Sequence, residues 1–439
     1  MIPFFDYHFV SSFMELIIDY VRVSGIAFQI IFYMKLFRSY WMDKYYRNHF
    51  TGKNVHQFLH NKYNDLLISD TFRLIALSMI SIFVPIYLLK NGFMLIEIII
   101  AEALMFLATI GLHYLMLSYL LQRIGIRRSI FISYICSICF YTMLSLDTLI
   151  GVLGRYNYLA IVFLLNGLLF AFYWNAHHIF FLTATKVRDT GKRLGLLKAI
   201  PTISGISGPF IGGILITTLG FKAVFAVSIL LLVSASIALS FSNRTDVKLK
   251  LDKKKVLNLK NMKRNLIFGI QGINSIAAGF MWPIFLFLAS VALVSIGAIY
   301  LLSHTVNAFM NYYGGKTCDS KGFLLGRIGA IGHGLSLIFR ALSKTVVLMT
   351  TFQAMGGAFG GLLTVTLDSE FYKKSHKDSA NSIMNRELYM HLGRICAVAA
   401  LGVLLIFYNP VNTLIIGLVG AGIITFFLNI LMEEKVFDL

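Results

Sequence analysis

Apolar residues along this chain fall into about twelve runs of membrane-spanning length, separated by short polar segments. A run of roughly 20 apolar residues crosses the hydrocarbon core of a bilayer as an α-helix, because a helix satisfies its own backbone hydrogen bonds. The pattern therefore predicts an all-α polytopic membrane protein. The predicted helices are 71–89, 95–121, 129–150, 157–183, 196–218, 222–242, 265–287, 290–313, 323–343, 345–367, 388–408 and 411–432.

The composition agrees with this class of protein. The chain of 439 residues is 57% hydrophobic and only 13% charged, whereas soluble domains carry about 25% charged residues. The composition therefore indicates a polytopic membrane protein rather than a soluble enzyme, and we predict no cofactor.

Lysine and arginine are divided unevenly between the two sets of connecting segments. If Met1 is cytosolic, 34 of the 39 basic residues lie on the Met1 side of the membrane. Cytosolic loops of membrane proteins are enriched in positive charge. The pattern thus predicts a multi-pass protein of the cytoplasmic membrane with cytosolic N- and C-termini. It also accounts for the net charge of +19 without a nucleic-acid partner.

The segment 243–264 divides the predicted helices into six and six. It carries nine basic residues and no aromatic ones, which is typical of a cytosolic linker between two bundles. The bundles are then 71–242 and 265–432, and 433–439 is a cytosolic tail.

The first 70 residues differ from the rest of the chain. They are rich in Phe, Tyr and His, and their longest uncharged stretch, 23–34, is too short to span a bilayer comfortably. We therefore interpret 1–70 as a cytosolic or interfacial amphipathic segment. A thirteenth span in this region is the alternative.

A short motif follows the second predicted helix and returns after the eighth. The second copy contains Gly315, Asp319 and Gly322. In the first copy, Ser118 and Gln122 replace the first glycine and the aspartate. The rest of that copy consists of Arg123, Gly125, Arg127 and Arg128. A repeat of this length indicates two homologous bundles.

These motifs resemble the signature loop of the major facilitator superfamily, roughly G-x-x-x-D-R-x-G-R-R. A second motif in the fifth helix resembles the G-x-x-x-G-P-x-x-G-G pattern of antiporters in that superfamily, and it contains Gly208, Pro209, Gly212 and Gly213. The resemblance covers about residues 71–432. It implies twelve transmembrane helices in two six-helix bundles related by a pseudo-two-fold axis. It also implies secondary active transport of a small organic molecule by alternating access.

The signature loop has a physical role as a conformational latch. A carboxylate at a helix end can accept hydrogen bonds from the N-terminus of a facing helix, where the dipole favours negative charge. We predict this role for Asp319, facing the start of the fifth helix. Arg123, Arg127 and Arg128 would pair with acids such as Glu387. The alternative is that these arginines only set the topology. For the Gly-Pro motif we predict close helix packing.

The resemblance implies that the first, fourth, seventh and tenth helices line the substrate cavity. Residues on these helices that offer aromatic faces or neutral hydrogen bonds are Tyr87, Asn166, Trp174, Asn175, Gln271, Asn274, Trp282 and Gln353. This set favours an uncharged or amphipathic substrate, since a strongly anionic one would require paired Arg or Lys.

Proton coupling is one of the open questions. Phe163 stands where drug–proton antiporters of the superfamily carry an arginine, so a proton or another ion would have to use other groups. Ionisable residues inside a membrane are functional candidates because they are costly there. We predict Glu102 and His304 as coupling candidates.

Two other functions remain open. His56 and His60 have the spacing that puts two imidazoles on one helix face, as in a metal-dependent membrane enzyme, although surface histidines are the expected interpretation and no metal site is predicted. The other alternative is a transport-inactive sensor or assembly partner that acts through residues 1–70.

Overall fold

The computed structural model describes residues 62–184, 205–240, 249–256 and 261–433. Nearly all of them are helical, and we number the α-helices in chain order. They are α1 Lys62–Ile80, α2 Val84–Lys90, α3 Leu95–Leu115, α4 Leu121–Ile124, α5 Ile126–Ser145, α6 Leu149–Leu153, α7 Arg155–Ala184, α8 Gly208–Leu219, α9 Phe221–Ser240, α10 Lys253–Val256, α11 Met262–Ile276, α12 Trp282–Leu288, α13 Leu293–Leu342, α14 Val346–Ser375, α15 Ser379–Phe407 and α16 Pro410–Leu431.

Short irregular turns join several of these helices into longer rods. A 3₁₀ turn at Ser81–Phe83 connects α1 to α2, just before Pro85. π-helical turns at Met116–Leu120 and Ala277–Met281 connect α3 to α4 and α11 to α12. Such turns change the direction of a helix without ending it.

Ten helical stretches in the described part of the chain are long and apolar enough to cross a membrane. A shorter apolar helix, α8, is described from Gly208 onward, so its predicted beginning lies outside the described residues. The second half of α13 is a further helical stretch of about 20 residues. The arrangement is therefore consistent with twelve spans.

Helix α13 departs from the predicted pattern, because helical backbone continues through the loop expected at 314–322. Even so, Ser303 and Arg340 both hydrogen-bond to Gln353 of α14. In a straight helix these two residues would be about 56 Å apart, at 1.5 Å per residue. The chain therefore reverses within α13, and its two parts pack on α14 in opposite directions.

The contacts of two glycines place the reversal. A side chain at Gly314 would meet Leu362 and Val365, and one at Gly326 would meet Thr366. Residues 314 and 326 thus lie beside the same turn of α14, and the chain turns between them. The eighth and ninth predicted helices are consequently separate spans in space, joined by a reversal between residues 314 and 326.

The predicted boundaries of the tenth and eleventh helices were wrong. Helix α14 extends to Ser375 instead of 367, and α15 begins at Ser379 instead of 388. The segment 369–387 is therefore mostly helix rather than an open loop. The physical reason is a buried ion pair between Asp368 and Arg386, 2.8 Å long, which satisfies both charges between the two helices.

Four arginines that were counted in the charge distribution lie inside helices; three of them fall within the predicted helices 71–89, 323–343 and 388–408, and only Arg386 was predicted to lie in a loop. They are buried or half-buried rather than solvated, and they are Arg73, Arg340, Arg386 and Arg394. Arg73, for example, pairs with Asp70 at 3.4 Å and stacks on the Tyr173 ring. Fewer basic residues therefore lie in loops than the charge count of the connecting segments assumed.

We call α1–α9 the first half and α11–α16 the second half. We call the membrane side of Ala184, Ser240, Met262 and Ser379 the linker face. The halves meet where α3 packs on α15 and where α8 packs on α13. Gly213 packs against the backbone of Leu293, so close that an added Cβ would lie 2.7 Å from its carbonyl oxygen.

The Gly-Pro segment packs within the first half as well. An added Cβ at Gly208 would overlap Ser78, and one at Gly212 would overlap the Met79 carbonyl oxygen. Pro209 lies at the first turn of α8, where its missing N–H is not required. Backbone-to-backbone approach of this kind is available only to glycine.

Part of the predicted linker is described and lies against α15. Asn381 accepts a hydrogen bond from the backbone N–H of Asp252, and Asn385 donates one to the carbonyl of Val256, both 2.8 Å. Lys255 contacts Asp378 at 2.9 Å, and this hydrogen bond raises the pKa of Lys255. The predictions for 1–61, 241–248, 257–260 and 434–439 lie outside the described residues.

Candidate functional site

A carboxylate surrounded by three imidazoles lies between the two halves. Glu387 Oε2 is 3.6 Å from His113 Nε2 and 3.8 Å from His391 Nδ1, and Oε1 is 3.3 Å from His178 Nε2. All four side chains are buried. We call these four residues the Glu387 cluster.

Helix geometry explains how the cluster forms. Glu387 and His391 are four residues apart on α15, so they share one helix face. His113 comes from α3 and His178 from α7, both in the first half. The cluster therefore spans the boundary between the halves, roughly two to three helical turns inside the linker face.

Tyr372 extends the cluster to α14. Its hydroxyl lies 2.5 Å from His178 Nδ1. If the hydroxyl donates to Nδ1, then Nε2 of the neutral imidazole carries the proton and faces Glu387. Tyr372 and His178 thus form a hydrogen bond that directly joins the two halves.

Arg394 lies two turns deeper in the membrane on the same face of α15. Its Nε donates to Ser275 Oγ at 3.0 Å, and Nη1 lies 3.2 Å from His391 Nε2. The guanidinium also lies 5.6 Å from the Phe106 ring centre and 5.9 Å from that of Phe170. Side chains of α3, α7, α11 and α15 thus surround one half-buried cation.

Glu102 on α3 and Arg394 on α15 carry opposite charges on the two sides of the boundary. The two charges interact electrostatically, and Glu102 is half-buried on α3. The predicted coupling residue therefore interacts with an arginine that the sequence analysis had counted among the cytosolic basic residues and had not selected as a site residue. A membrane interior favours such pairing, because an isolated charge is costly there.

Some predicted cavity residues lie near these groups. Trp174 stacks on His178 with ring centres 5.5 Å apart. Asn175 is buried on α7 near His113. Asn166 Nδ2 lies 3.1 Å from Met105 Sδ, and Gln271 is half-buried on α11.

Other predicted cavity residues lie in separate packing contacts. The Tyr87 hydroxyl donates to the Leu144 carbonyl at 2.5 Å, within the first half. Asn274 Oδ1 accepts a hydrogen bond from Thr425 at 2.7 Å. Gln353 bonds to Arg340, whose guanidinium lies 5.0 Å from the Trp282 ring centre.

The second coupling candidate, His304, is half-buried on α13, where its ring contacts Tyr300 edge to face at 5.8 Å. Its neighbour Asn307 donates to the Gly357 carbonyl at 3.0 Å. This side of α13 thus packs on α14.

The latch residues are described only in part. Asp319 and Gly322 lie in the stretch of α13 whose side chains are outside the described residues, while Gly315 is buried. Arg123 stacks over Tyr119 at 4.1 Å, Arg127 is buried and Arg128 is exposed. Gly125 adopts φ +81° between α4 and α5, a conformation that favours glycine.

Glu387 has a different environment from the one expected. The sequence analysis placed it before a helix as a partner for arginines of the first signature loop. The structure places it inside α15, where its neighbours are histidines.

Sequence reasoning missed His113, His391 and Arg394 as site residues. Each is an ionisable residue in a predominantly apolar run, and such residues are functional candidates by default. The sequence therefore marked each residue individually as a functional candidate. Their convergence on one boundary required the packing of α3 against α15.

Chemically, the site combines a carboxylate with imidazoles near the linker face and an arginine near mid-membrane. The first group can hold a proton or a cation, and the second can bind an anion. Both lie where the two halves meet, so occupancy of either can depend on how the halves are arranged.

Comparisons with known proteins identify the family. The family model of the Major Facilitator Superfamily matches residues 66–397. Uncharacterized protein YqgE of Bacillus subtilis (strain 168) is 24% identical over 253 residues, which are 53% of this chain and 58% of that protein. The chain thus matches less than two thirds of that relative's length.

A solved structure shares the fold. The crystal structure of the human organic anion transporter MFSD10 (TETRAN) matches with a TM-score of 0.56 and 9% identity, covering 84% of this chain and 99% of that one. The family match covers well over half of the chain, and the helices fold as that family's do. The chain therefore belongs to the Major Facilitator Superfamily of membrane transporters.

Proposed function

We propose that this protein is a secondary active transporter that moves a small organic anion across the cytoplasmic membrane by alternating access. The observation that carries the proposal is Arg394, a cation near mid-membrane surrounded by helices of both halves.

Arg394 has the chemistry of a carboxylate-binding residue. A guanidinium forms two parallel hydrogen bonds with a carboxylate, and such charge-assisted bonds are roughly twice as strong as neutral ones. Its Nε and Nη1 have partners, whereas Nη2 has none among the described residues. Phe106 and Phe170 flank the guanidinium and offer apolar surface for the body of a substrate.

This proposal changes the substrate class that the sequence favoured. The sequence suggested an uncharged or amphipathic molecule, since its cavity candidates carried almost no charge. Arg394 and Glu102 add a charge of each sign. The human protein of similar fold is described as an organic anion transporter. At 9% identity that likeness concerns the fold, so the substrate argument rests on Arg394.

Contacts at both ends of the boundary support alternating access. Near the linker face, His178 meets Tyr372. Near the opposite face, Gly213 packs on Leu293, and Lys90 lies 6.0 Å from the Phe287 ring centre. Arg394 lies between these two sets of contacts. Opening one set while the other stays closed would expose the site to one side at a time.

For coupling we propose the proton, held by Glu102. An ionised Glu102 competes with an anionic substrate for Arg394, so a protonated Glu102 and a bound anion favour each other. Linkage then makes the two bind together. His304 is the second candidate. Proton and anion then move in the same direction, so an inward proton gradient would drive uptake, whereas the antiporter motif of the sequence had favoured efflux.

We also propose cytosolic N- and C-termini, which place the linker face in the cytosol. The bundles would be 71–242 and 265–432, joined by the linker 243–264. In a variant whose four native cysteines are replaced, Lys250→Cys should react with an impermeant maleimide only after cells are opened. Reaction in intact cells would reverse the orientation.

Transport in proteoliposomes tests the function. The protein would be given a panel of labelled aliphatic and aromatic carboxylates alongside their uncharged amides. We expect carboxylate uptake, with Arg394→Gln lowering it at least tenfold and Arg394→Lys restoring part of it. Arg155→Gln, which alters an arginine near the opposite face, is the matched control.

Two results would overturn the proposal. Equal carboxylate transport by wild type and Arg394→Gln would show that no anion is bound at this site. An absence of transport for the whole panel, with intact folding, would favour the sensor or assembly function.

A further inference from the structure

We propose that the Glu387 cluster is a binding site for a divalent transition metal of the zinc class, with His113, Glu387 and His391 as ligands. Their ligand atoms lie within 4.8 Å of one another, and all three residues are buried. The binding site does not rest on the proposed transport function.

The donor set fits such a metal. Zinc in proteins is bound by imidazole nitrogen and carboxylate oxygen at about 2.0–2.2 Å in tetrahedral geometry, which puts ligand atoms roughly 3.3 Å apart. The two contacts of Glu387 Oε2 with His113 and His391 are 3.6 and 3.8 Å. The ligands would therefore close in by a few tenths of an ångström along these two contacts and by up to about 1.5 Å between the histidines.

His113 provides an independent observation that points to a ligand. Its side chain is 0% exposed, and neither ring nitrogen has a hydrogen-bond partner within the described residues. Asn175 is a polar neighbour, but the two side chains do not reach hydrogen-bond geometry. A buried imidazole whose nitrogens have no hydrogen-bond partner destabilises the fold unless a ligand satisfies them. A metal would use the free lone pair of Nε2, which faces Glu387.

Residues around the ligands fit the role of a supporting shell. Ligating groups in metal sites are oriented by hydrogen bonds from neighbouring side chains. His178 lies 3.3 Å from the other carboxylate oxygen of Glu387 and is itself held by Tyr372. This leaves Oε2 directed at His113 and His391.

His391 is the ligand that must change most. Its Nδ1 bonds to the Glu387 carbonyl at 2.8 Å, and its Nε2 faces Arg394. Binding through Nδ1 requires that the proton move to Nε2 and that both contacts loosen. We therefore expect His391 to contribute less to affinity than His113 or Glu387.

The metal would join the two halves, because His113 lies on α3 and the other two ligands on α15. Wherever α3 and α15 separate, the site is lost. A bound metal should thus hold the linker face closed. This consequence, unlike the binding itself, rests on the proposed alternating-access function.

Metal analysis of the full-length protein tests the site. The protein would carry no polyhistidine tag and would have His56→Gln and His60→Gln in the background, since that pair could bind metal separately. After equilibration with Zn²⁺ and removal of free metal, we expect about one zinc per chain. Co²⁺ in its place should give the intense visible bands of a tetrahedral complex.

Matched variants assign the ligands. In the same background, His113→Gln and Glu387→Gln should each weaken zinc binding at least tenfold, and His391→Gln less. His333→Gln removes an imidazole of the second half outside the cluster and should bind like the background protein. Equal zinc in the background and His113→Gln proteins would overturn the site. An absence of zinc in the background protein would also overturn the site, because the cluster would then bind only protons.

A transport measurement adds the functional consequence. Micromolar zinc should slow carboxylate uptake by the background protein and leave the residual uptake of His113→Gln unaffected. Zinc binding without any effect on uptake would overturn the closure of the linker face but keep the site. If uptake is absent altogether, the proposed function fails and the metal count still decides the site.

Discussion

His178 and Tyr372 lie 194 residues apart in the chain, yet Nδ1 of one is 2.5 Å from the hydroxyl of the other. The bond joins α7 of the first half to α14 of the second. Both side chains are buried, so it is protected from water. Among the described residues near the linker face, this contact is shorter than those of Glu387 with His178 and His113, which also join the halves.

Removing this bond should favour opening of the linker face. Tyr372→Phe keeps the ring and deletes the hydroxyl, which is worth about 1 kcal/mol, or roughly a fivefold shift between states. Spin labels at Thr183 and Lys377, in a variant without native cysteines, should report a larger population of long distances.

Tyr300→Phe is the control for that experiment. The Tyr300 hydroxyl donates to the Ala278 carbonyl at 2.8 Å, entirely within the second half. Its loss should lower stability without changing the label distances. Identical distance distributions in wild type and Tyr372→Phe would mean that the bond does not control opening.

Gly212→Ala should destabilise the protein. The added methyl group would overlap the Met79 carbonyl oxygen, and overpacking against backbone costs about 1–3 kcal/mol. Thermal unfolding in detergent should show a lower midpoint. Gly111→Ala adds the same group to α3, where nothing lies within 4 Å. It should be neutral or stabilise by up to about 1 kcal/mol, and equal losses in both variants would contradict the packing argument.

The reversal within α13 predicts two crosslinks to adjacent positions of α14. An added side chain at Gly361 would meet Asn307, and one at Gly360 would meet His333. Paired cysteines at 307 and 361, and separately at 333 and 360, should both form disulfides on mild oxidation. A straight helix would put residues 307 and 333 about 39 Å apart, so only one pair could then crosslink.

The described part of the linker should be protected by α15. Asn381 and Asn385 each hold its backbone through one hydrogen bond, worth about 1 kcal/mol apiece. Asn381→Ala combined with Asn385→Ala should therefore speed tryptic cleavage at Lys253–Lys255 by tenfold or more. Asn409→Ala, which removes a helix cap near the opposite face, should leave the cleavage rate unchanged. An unaffected rate in the double variant would show that other contacts hold the linker.

The sequence predicted the class of fold because that class depends on local composition. Twenty apolar residues in a row form a membrane helix wherever they occur, and the two motif copies indicated a repeated bundle. Helix ends were predicted less well around Asp368 and Arg386. Charged residues such as these are found both in exposed loops and in buried ion pairs. Which of the two they form depends on whether a neighbouring helix offers a partner of opposite charge.

The site was predicted only in fragments. Glu102 was chosen as a single acidic residue in an apolar run, but Arg394, with which it interacts, was counted only among the basic residues of the cytosolic side. Glu387 was noted as an acid near a helix start, without its histidines. Each of these residues is more than 200 positions from its partners on the other half, so spacing along the chain carried no information about them.

The sequence by itself thus determined that this protein is a polytopic helical transporter of the major facilitator type, since hydropathy, length and short motifs are properties of neighbouring residues. Only the tertiary structure decided which charged side chains meet. The packing of α3 and α7 against α14 and α15 brings His113 and His178 to Glu387 and surrounds Arg394 with aromatic rings. Inside a membrane a charge must find a partner, and which partner it finds depends on how the two halves pack together.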